Sequence, residues 1–133
     1  MEPVDTLVSA RWVMPVEPDG RVLEHHSVAI RSGRIEALLP TAEARQRFDA
    51  RETLDRPHHV LLPGLVNAHT HAAMVPSRWV DPEYVRDGTE LAIAEMLRGG
   101  ITCFADMHLW PDVVARTAAA AQIALVNSVS YLP

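Results

Sequence analysis

The fold is decided by Leu61-Leu62-Pro63-Gly64-Leu65-Val66-Asn67-Ala68-His69-Thr70-His71, a stretch near the middle of this 133-residue chain. Up to His69 it is an apolar run of strand length without polar alternation, which is typical of a parallel strand buried on both faces. Residues two apart on a strand point to the same face, so His69 and His71 converge while Thr70 points away. The stretch therefore predicts a buried strand that ends in two convergent imidazoles.

Two convergent imidazoles are half of a metal site, but their spacing alone leaves another interpretation open. A His-x-His pair also arises by chance, and core histidines are commonly held by ordinary hydrogen bonds. The place of His69 and His71 at the carboxyl end of a strand favours the metal interpretation, because the active sites of barrel folds lie at that end. Both are candidate metal ligands.

Helices and strands alternate after this stretch. Asp81-Pro82-Glu83 supplies an N-cap, a proline at the first helical position and an acid in the first turn, and Gly99-Gly100 ends the helix that follows. Next come a short apolar strand at 101–105, an alanine-rich helix at 111–122 and a third strand at 123–126. Strands that alternate with helices imply parallel crossovers, so the sequence predicts an α/β fold with a parallel sheet or a (β/α) barrel.

The first part of the chain has a different pattern, of short strands separated by turn residues. Apolar stretches at 5–16, 22–30 and 34–39 predict strands, and Ser32-Gly33 predicts a tight hairpin in which glycine supplies a positive φ. Residues 41–48 are mostly polar helix formers, which predicts a short surface helix or turn before a last strand. The sequence therefore predicts a small β unit ahead of the α/β part.

Composition and charge narrow the class of protein. Hydrophobic residues make up 48% and charged residues 22%, and a net charge of -5 without a basic run gives no footprint for nucleic acid or anionic lipid. Cys103 is the single cysteine, so no internal disulfide is possible. The start of the chain lacks a signal-peptide pattern, and no apolar run approaches about 18–20 residues. We expect a cytoplasmic protein that acts on a small molecule and binds neither nucleic acid nor a membrane.

The wider sequence resembles a known family. The string from Pro63 to His71 resembles the signature of the amidohydrolase superfamily, in which Pro-Gly leads into barrel strand one and His-x-His supplies the first two metal ligands. The run from Val85 to Met107 resembles one branch, which contains methylthioadenosine/S-adenosylhomocysteine deaminases, cytosine and guanine deaminases and triazine chlorohydrolases. Gly33-Arg34-Ile35 is similar to part of the family's small β-sandwich.

This resemblance implies a fold and an activity. It implies that 1–60 is the N-terminal part of a β-sandwich domain and that 61–133 is the first βαβαβ portion, about three strands, of a (β/α)8 TIM-type barrel. It further implies that His69 and His71 hold a divalent metal, zinc or iron, which activates water. That water would displace ammonia from an amino-substituted heterocycle such as an adenosine derivative, or chloride from a triazine.

The same resemblance puts the rest of the machinery outside this sequence. The family takes two more histidines and an aspartate as metal ligands, and a glutamate for proton transfer, from later barrel strands; all would follow Pro133, so no catalytic acid or base is assigned within the chain. We expect a truncated enzyme that is inactive alone. The alternatives are a non-catalytic remnant, half of a split enzyme that needs a complementing chain, or a small β-rich binding module, and association into a homo-oligomer is also open.

The sequence departs from the family at two places. The loop after His-x-His is long in the nucleoside deaminases and carries a tryptophan that contacts substrate, whereas here it is reduced to Ala72–Val80. We therefore assign no substrate role to Trp79. Gln122 stands where relatives often have a helix-ending glycine, so the second helix loses an easy left-handed C-cap.

The remaining candidates have weaker patterns. His108 follows the second barrel strand, where a role in substrate binding competes with a plain surface role. Asp106 either orients a ligand or caps a turn, and Cys103 is expected to be a small core residue. The other histidines lie in polar surroundings and are expected to be solvent-exposed: His25, His26, His58 and His59.

Overall fold

The computed structural model of the chain describes residues 1–73 and 80–129. Trp79 and most of the short loop after His71 lie outside the described residues. The chain divides into two compact units, Met1–Pro63, which we call the β unit, and Gly64–Pro133, which we call the αβ unit. The mixed α/β fold that the sequence predicts is confirmed.

The β unit is a four-stranded sheet with one short helix. Its strands are ordered β3-β2-β1-β4, with antiparallel pairing except between β1 and β4, which are parallel. The predicted short helix is present directly before the last strand. In chain order the elements are β1 (Glu2–Val13), β2 (Leu23–Arg31), β3 (Arg34–Pro40), α1 (Thr41–Arg47) and β4 (Phe48–Leu61).

Turn chemistry and burial explain why the β unit folds this way. Ser32 and Gly33 both have positive φ, of 50° and 73°, as a tight two-residue hairpin requires, and this confirms the hairpin predicted from Ser32-Gly33. Ala44 of α1 is completely buried against the sheet. It belongs to a core cluster that contains Val4, Leu7, Ala29, Leu39, Ala44 and Phe48.

The αβ unit is a parallel sheet with two helices. Its strands are ordered β5-β6-β7, and both pairings are parallel. Phe104, Val85 and Val114 are completely buried in its core, where the central strand meets the helices. The elements are β5 (Leu65–Thr70), α2 (Pro82–Arg98), β6 (Ile101–His108), α3 (Pro111–Ala120) and β7 (Ala124–Val129).

The caps of α2 are those the sequence predicts. The Asp81 side chain accepts a hydrogen bond from the Tyr84 backbone N–H at 2.8 Å, and Pro82 occupies the first helical turn. Gly99 is the C-cap, followed by Gly100 at φ 79°. In residues 1–73 and 80–129, no helix is both long enough and apolar enough to span a membrane.

The prediction that the first strand of the αβ unit is buried on both faces is wrong. Leu65 is 54% exposed and Val66 65% exposed. In the described residues β5 hydrogen-bonds to β6 alone, so it is an edge strand, and the buried cluster contains none of its residues. Apolar side chains of β5 therefore remain exposed, because its neighbours in the described residues do not cover them.

The end of α3 uses a left-handed residue that is not glycine. Gln122 has a φ of 56°, its N–H donates to the Ala119 carbonyl at 3.2 Å, and the Ile123 N–H donates to the Ala118 carbonyl at 3.1 Å. These two bonds are those of a Schellman motif, in which glycine normally takes the left-handed position. The helix is thus capped in spite of the missing glycine, at the conformational cost that a Cβ imposes.

Replacing Gln122 by glycine should therefore stabilise the chain. The left-handed conformation costs a residue with a Cβ about 1–2 kcal/mol, and the extra freedom of glycine in the unfolded state takes back about 0.5–1 kcal/mol. We expect Gln122→Gly to raise the free energy of unfolding by up to about 1 kcal/mol in urea denaturation. Gln122→Ala keeps the Cβ and should bring no such gain. A loss of stability in Gln122→Gly would contradict the strained cap.

A second prediction concerns the turn that enters β5. A Cβ built at Gly64 would overlap the side chain of Thr102, including its Cβ atom. Gly64→Ala should lower the free energy of unfolding by about 1–3 kcal/mol, as overpacking does. In a Thr102→Gly background the penalty should shrink, because the atoms that clash are gone. Urea denaturation of the double-mutant cycle checks this, and equal penalties in both backgrounds would speak against it.

Candidate metal centre

The carboxyl end of β5 contains an irregularity in its pairing with β6. Asn67 lies opposite Phe104, and Thr70 lies opposite Asp106. Three steps along β5 therefore match two steps along β6, which is the signature of a β-bulge. A bulge shifts all later side chains of its strand to the opposite face.

This bulge decides which way the two histidines point. The Asn67 amide contacts the Met96 sulfur of α2 at 3.9 Å, so Asn67 faces the helix layer. In an unbroken strand His69 would share that face, because side chains alternate. The extra residue instead gives Thr70 the helix-facing position opposite Asp106, and turns His69 and His71 to the other face of the sheet.

Asn67 also stabilises the bulge directly. Its side-chain Oδ1 accepts a hydrogen bond from the His69 backbone N–H at 3.3 Å. Asparagine side chains bond in this way to the backbone two residues later, and so supply a partner where the strand ladder is interrupted. The two-residue spacing predicts that the histidines converge but does not predict the bulge. Asn67, two residues before His69, is the local signal for it.

The two imidazoles lie at a distance that suits one shared metal ion. The ring centroids of His69 and His71 are 4.9 Å apart, and the ring planes are nearly perpendicular, at 89°. Two imidazoles on one tetrahedral zinc ion, each with a Zn–N bond of about 2.0–2.1 Å, have centroids roughly 5 Å apart. His69 is exposed and His71 is partly buried.

One contact selects the nitrogen that His71 can offer to a metal. Its Nδ1 lies 3.3 Å from the backbone carbonyl oxygen of Met107 on β6. A carbonyl oxygen only accepts, so Nδ1 carries the proton in this hydrogen bond and Nε2 keeps its lone pair. Ligating histidines generally donate their second N–H in this way, which fixes the ring and its tautomer.

Asp106 lies beneath this contact and is 3% exposed. Its Oδ1 accepts from the Met107 N–H at 2.8 Å and from the Ala72 N–H at 3.3 Å. Ala73 in turn packs closely on Gly88 of α2, where an added Cβ would lie 3.1 Å from the Ala73 Cα. The backbone that follows His71 is therefore fastened to both β6 and α2.

The described residues bring together two candidate metal ligands, His69 and His71. Within 1–73 and 80–129, no group of three or more His, Cys, Asp or Glu side chains is close enough to hold a metal ion. A catalytic zinc needs three protein ligands and an open position. The donors present fit two of these positions by chemistry and spacing.

The other candidates are separate from the pair. His108, at the end of β6, is partly buried and shares its face of the strand with Asp106 and Phe104, two and four residues earlier. Its role as a substrate contact stays a prediction. Cys103 is a free thiol of intermediate burial. Of the four histidines of the β unit, three are exposed as expected, but His26 is partly buried, with Nδ1 2.7 Å from the Glu24 carbonyl.

Known proteins are similar to this chain over most of its length. A methylthioadenosine/S-adenosylhomocysteine deaminase of Saccharophagus degradans is 41% identical over 138 residues, covering 87% of this chain and 31% of its own. The structure of an adenosine deaminase from Xanthomonas campestris with bound zinc matches with a TM-score of 0.89 at 41% identity, over 94% of this chain and 34% of that one. A triazine hydrolase of Arthrobacter aurescens matches at a TM-score of 0.80 and 22% identity, over 96% and 36%, which shows a shared fold alone.

This chain spans about a third of the length of the curated relatives it matches. The model of the amidohydrolase family matches residues 60–131, which is more than half of the chain and includes both histidines. The resemblance drawn from the motifs, to this family and to its deaminases, is confirmed. The chain belongs to the amidohydrolase family.

Proposed function

We propose that this chain contributes two metal ligands, His69 and His71, to a hydrolase that removes the amino group of an adenosine derivative. The observation that carries the proposal is the pair of imidazoles at the carboxyl edge of a parallel sheet, 4.9 Å apart. Relatives named as methylthioadenosine/S-adenosylhomocysteine deaminase and adenosine deaminase support the reaction and the substrate class. A small heterocyclic substrate is thus the proposed partner.

Zinc is the metal we propose, with iron as the other candidate. Imidazole nitrogen suits both metals, and the zinc in the Xanthomonas campestris structure supports the first. When bound, zinc would lower the pKa of a water molecule to about 7, which would make hydroxide available at neutral pH.

The residues of this chain would hold the metal and orient the two imidazole rings that bind it. Neutral His69 and His71 donate nitrogen lone pairs, and the bulge at Asn67 aims both rings to one face. The Met107 carbonyl accepts the Nδ1 proton of His71 and leaves Nε2 for the metal. We assign no proton transfer to any residue of the chain, and His108 at the end of β6 is the proposed substrate contact.

We also propose what the two units contribute to the complete enzyme. The parallel βαβαβ order of the αβ unit supports its being the first portion of a (β/α)8 barrel, in which active sites lie at the carboxyl ends of the strands. The β unit would be part of a β-sandwich. TM-scores of 0.89 and 0.80 against two relatives support the overall assignment.

Zinc binding by the isolated chain tests the ligand pair. Competition with a chromophoric chelator should show weak binding to the wild-type chain, since two ligands are fewer than a full site has. His69→Ala and His71→Ala should each weaken it by at least about tenfold, because a single imidazole is left. His58→Ala, which removes an exposed histidine of the β unit, is the matched control and should change the affinity little. Equal losses in all three variants would point to nonspecific binding.

A chimera tests the reaction. The chain would replace the aligned segment of the Saccharophagus degradans deaminase, and hydrolysis of methylthioadenosine would be followed by ultraviolet absorbance. We expect turnover that falls at least about a thousandfold in His69→Ala or His71→Ala, because the water loses its activating metal. His25→Ala should leave it nearly unchanged. A folded, zinc-loaded chimera without turnover would favour a non-catalytic remnant instead.

A further inference from the structure

We propose that Asp106 is the positioning residue that sets the tautomer and orientation of His71, an inference that rests on the proposed role of His71 as a metal ligand. Its carboxylate acts on the ring through the backbone on both sides of it. Three hydrogen bonds carry the proposal: Met107 N–H to Asp106, Ala72 N–H to Asp106, and His71 Nδ1–H to Met107.

The Asp106 carboxylate is buried in the sheet. Asp106 lies in the central strand, opposite Thr70 on β5 and Asn127 on β7. It is 3% exposed, on the same face as the buried Phe104. A carboxyl group in such a position is costly unless its oxygens accept hydrogen bonds, so its bonds to backbone N–H groups are strong constraints on the chain.

These bonds constrain the backbone on both sides of the His71 ring. Oδ1 bridges the N–H of Met107, at 2.8 Å, and that of Ala72, at 3.3 Å. Ala72 directly follows His71, and the Met107 carbonyl is the group that faces the His71 ring. One oxygen atom thus holds together the segment that carries the imidazole and the residue that receives its proton.

The contact between His71 and Met107 bears on metal binding through the tautomer of the imidazole. His71 can offer Nε2 only while Nδ1 carries the proton, and the Met107 carbonyl favours that tautomer by accepting the proton. Without Asp106, the segments at Ala72 and Met107 lose their shared acceptor, and the Nδ1–H tautomer loses its fixed partner. Supporting groups of this kind typically change metal affinity by about 10–100-fold when removed.

A purely structural role predicts something different. If Asp106 only ties β6 to the loop, its removal lowers stability and leaves the His71 tautomer as it was. If it positions His71, the tautomer changes in the metal-free protein. The amide of asparagine also has an Oδ1 acceptor, so Asp106→Asn should preserve the tautomer, whereas Asp106→Ala should not.

The experiment is nitrogen NMR of the imidazoles in the metal-free 133-residue chain, at about pH 8, where free imidazole is neutral. In the wild-type chain and in Asp106→Asn, the long-range ¹H–¹⁵N pattern should show His71 as the Nδ1–H tautomer. In Asp106→Ala it should show a mixture of both tautomers. Asp112→Ala, which removes an exposed carboxylate of α3, is the matched control and should keep the wild-type pattern.

Zinc titration of the same samples gives the second readout. Asp106→Ala should need about 10–100-fold more zinc to shift the His71 Nε2 resonance than the wild-type chain. An unchanged tautomer in a folded Asp106→Ala would overturn the proposal. Should that variant not fold, Asp106→Glu, which keeps the charge and displaces the oxygen, takes its place with the same expectation. If added zinc does not shift the His69 and His71 resonances of the wild-type chain, the proposed ligand role is refuted. The proposed role of Asp106 is still tested in that case, because the tautomer is measured without metal.

Discussion

Between Asn67 and Thr70, three steps of β5 are matched to two steps of β6, and the direction of both candidate ligands depends on that mismatch. A side chain on a strand has two choices of face, and one extra residue exchanges them. The bulge therefore lets one strand present Asn67 to the helix layer and His69 to the opposite face. The Asn67 side chain, bonded to the His69 N–H at 3.3 Å, supplies the local hydrogen bond that the ladder gives up.

The neighbouring strand β6 supplies two further contacts to the segment that carries the histidines. Asp106 and Met107 are consecutive residues, yet one anchors the backbone after His71 and the other accepts from its ring. Parallel pairing brings them to the same edge of the sheet as the histidines, because all carboxyl ends of a parallel sheet meet there. The candidate ligand pair is thus held by contacts from two strands, which would reduce the conformational ordering that metal binding requires.

The same sheet leaves much apolar surface uncovered. Leu65 and Val66 on β5 and Val126 on β7 are each more than half exposed, although apolar residues of such strands are usually buried. Relatives about three times longer than this chain match it over most of its length. The two candidate ligands and the exposed edge strand fit the proposal that further metal donors come from other residues.

Local chemistry in the sequence determined the elements of this protein. The Asp81-Pro82 cap, the Ser32-Gly33 hairpin and the strand-helix alternation act over a few residues, so their outcome is visible without a structure. His69 and His71 were found as a pair for the same reason, since two-residue spacing is a local property. Only the tertiary structure decided which face they occupy and which nitrogen of His71 is free. Both depend on pairing with residues that lie over thirty positions away, Asp106 and Met107, and spacing along a chain does not encode the register of a partner strand.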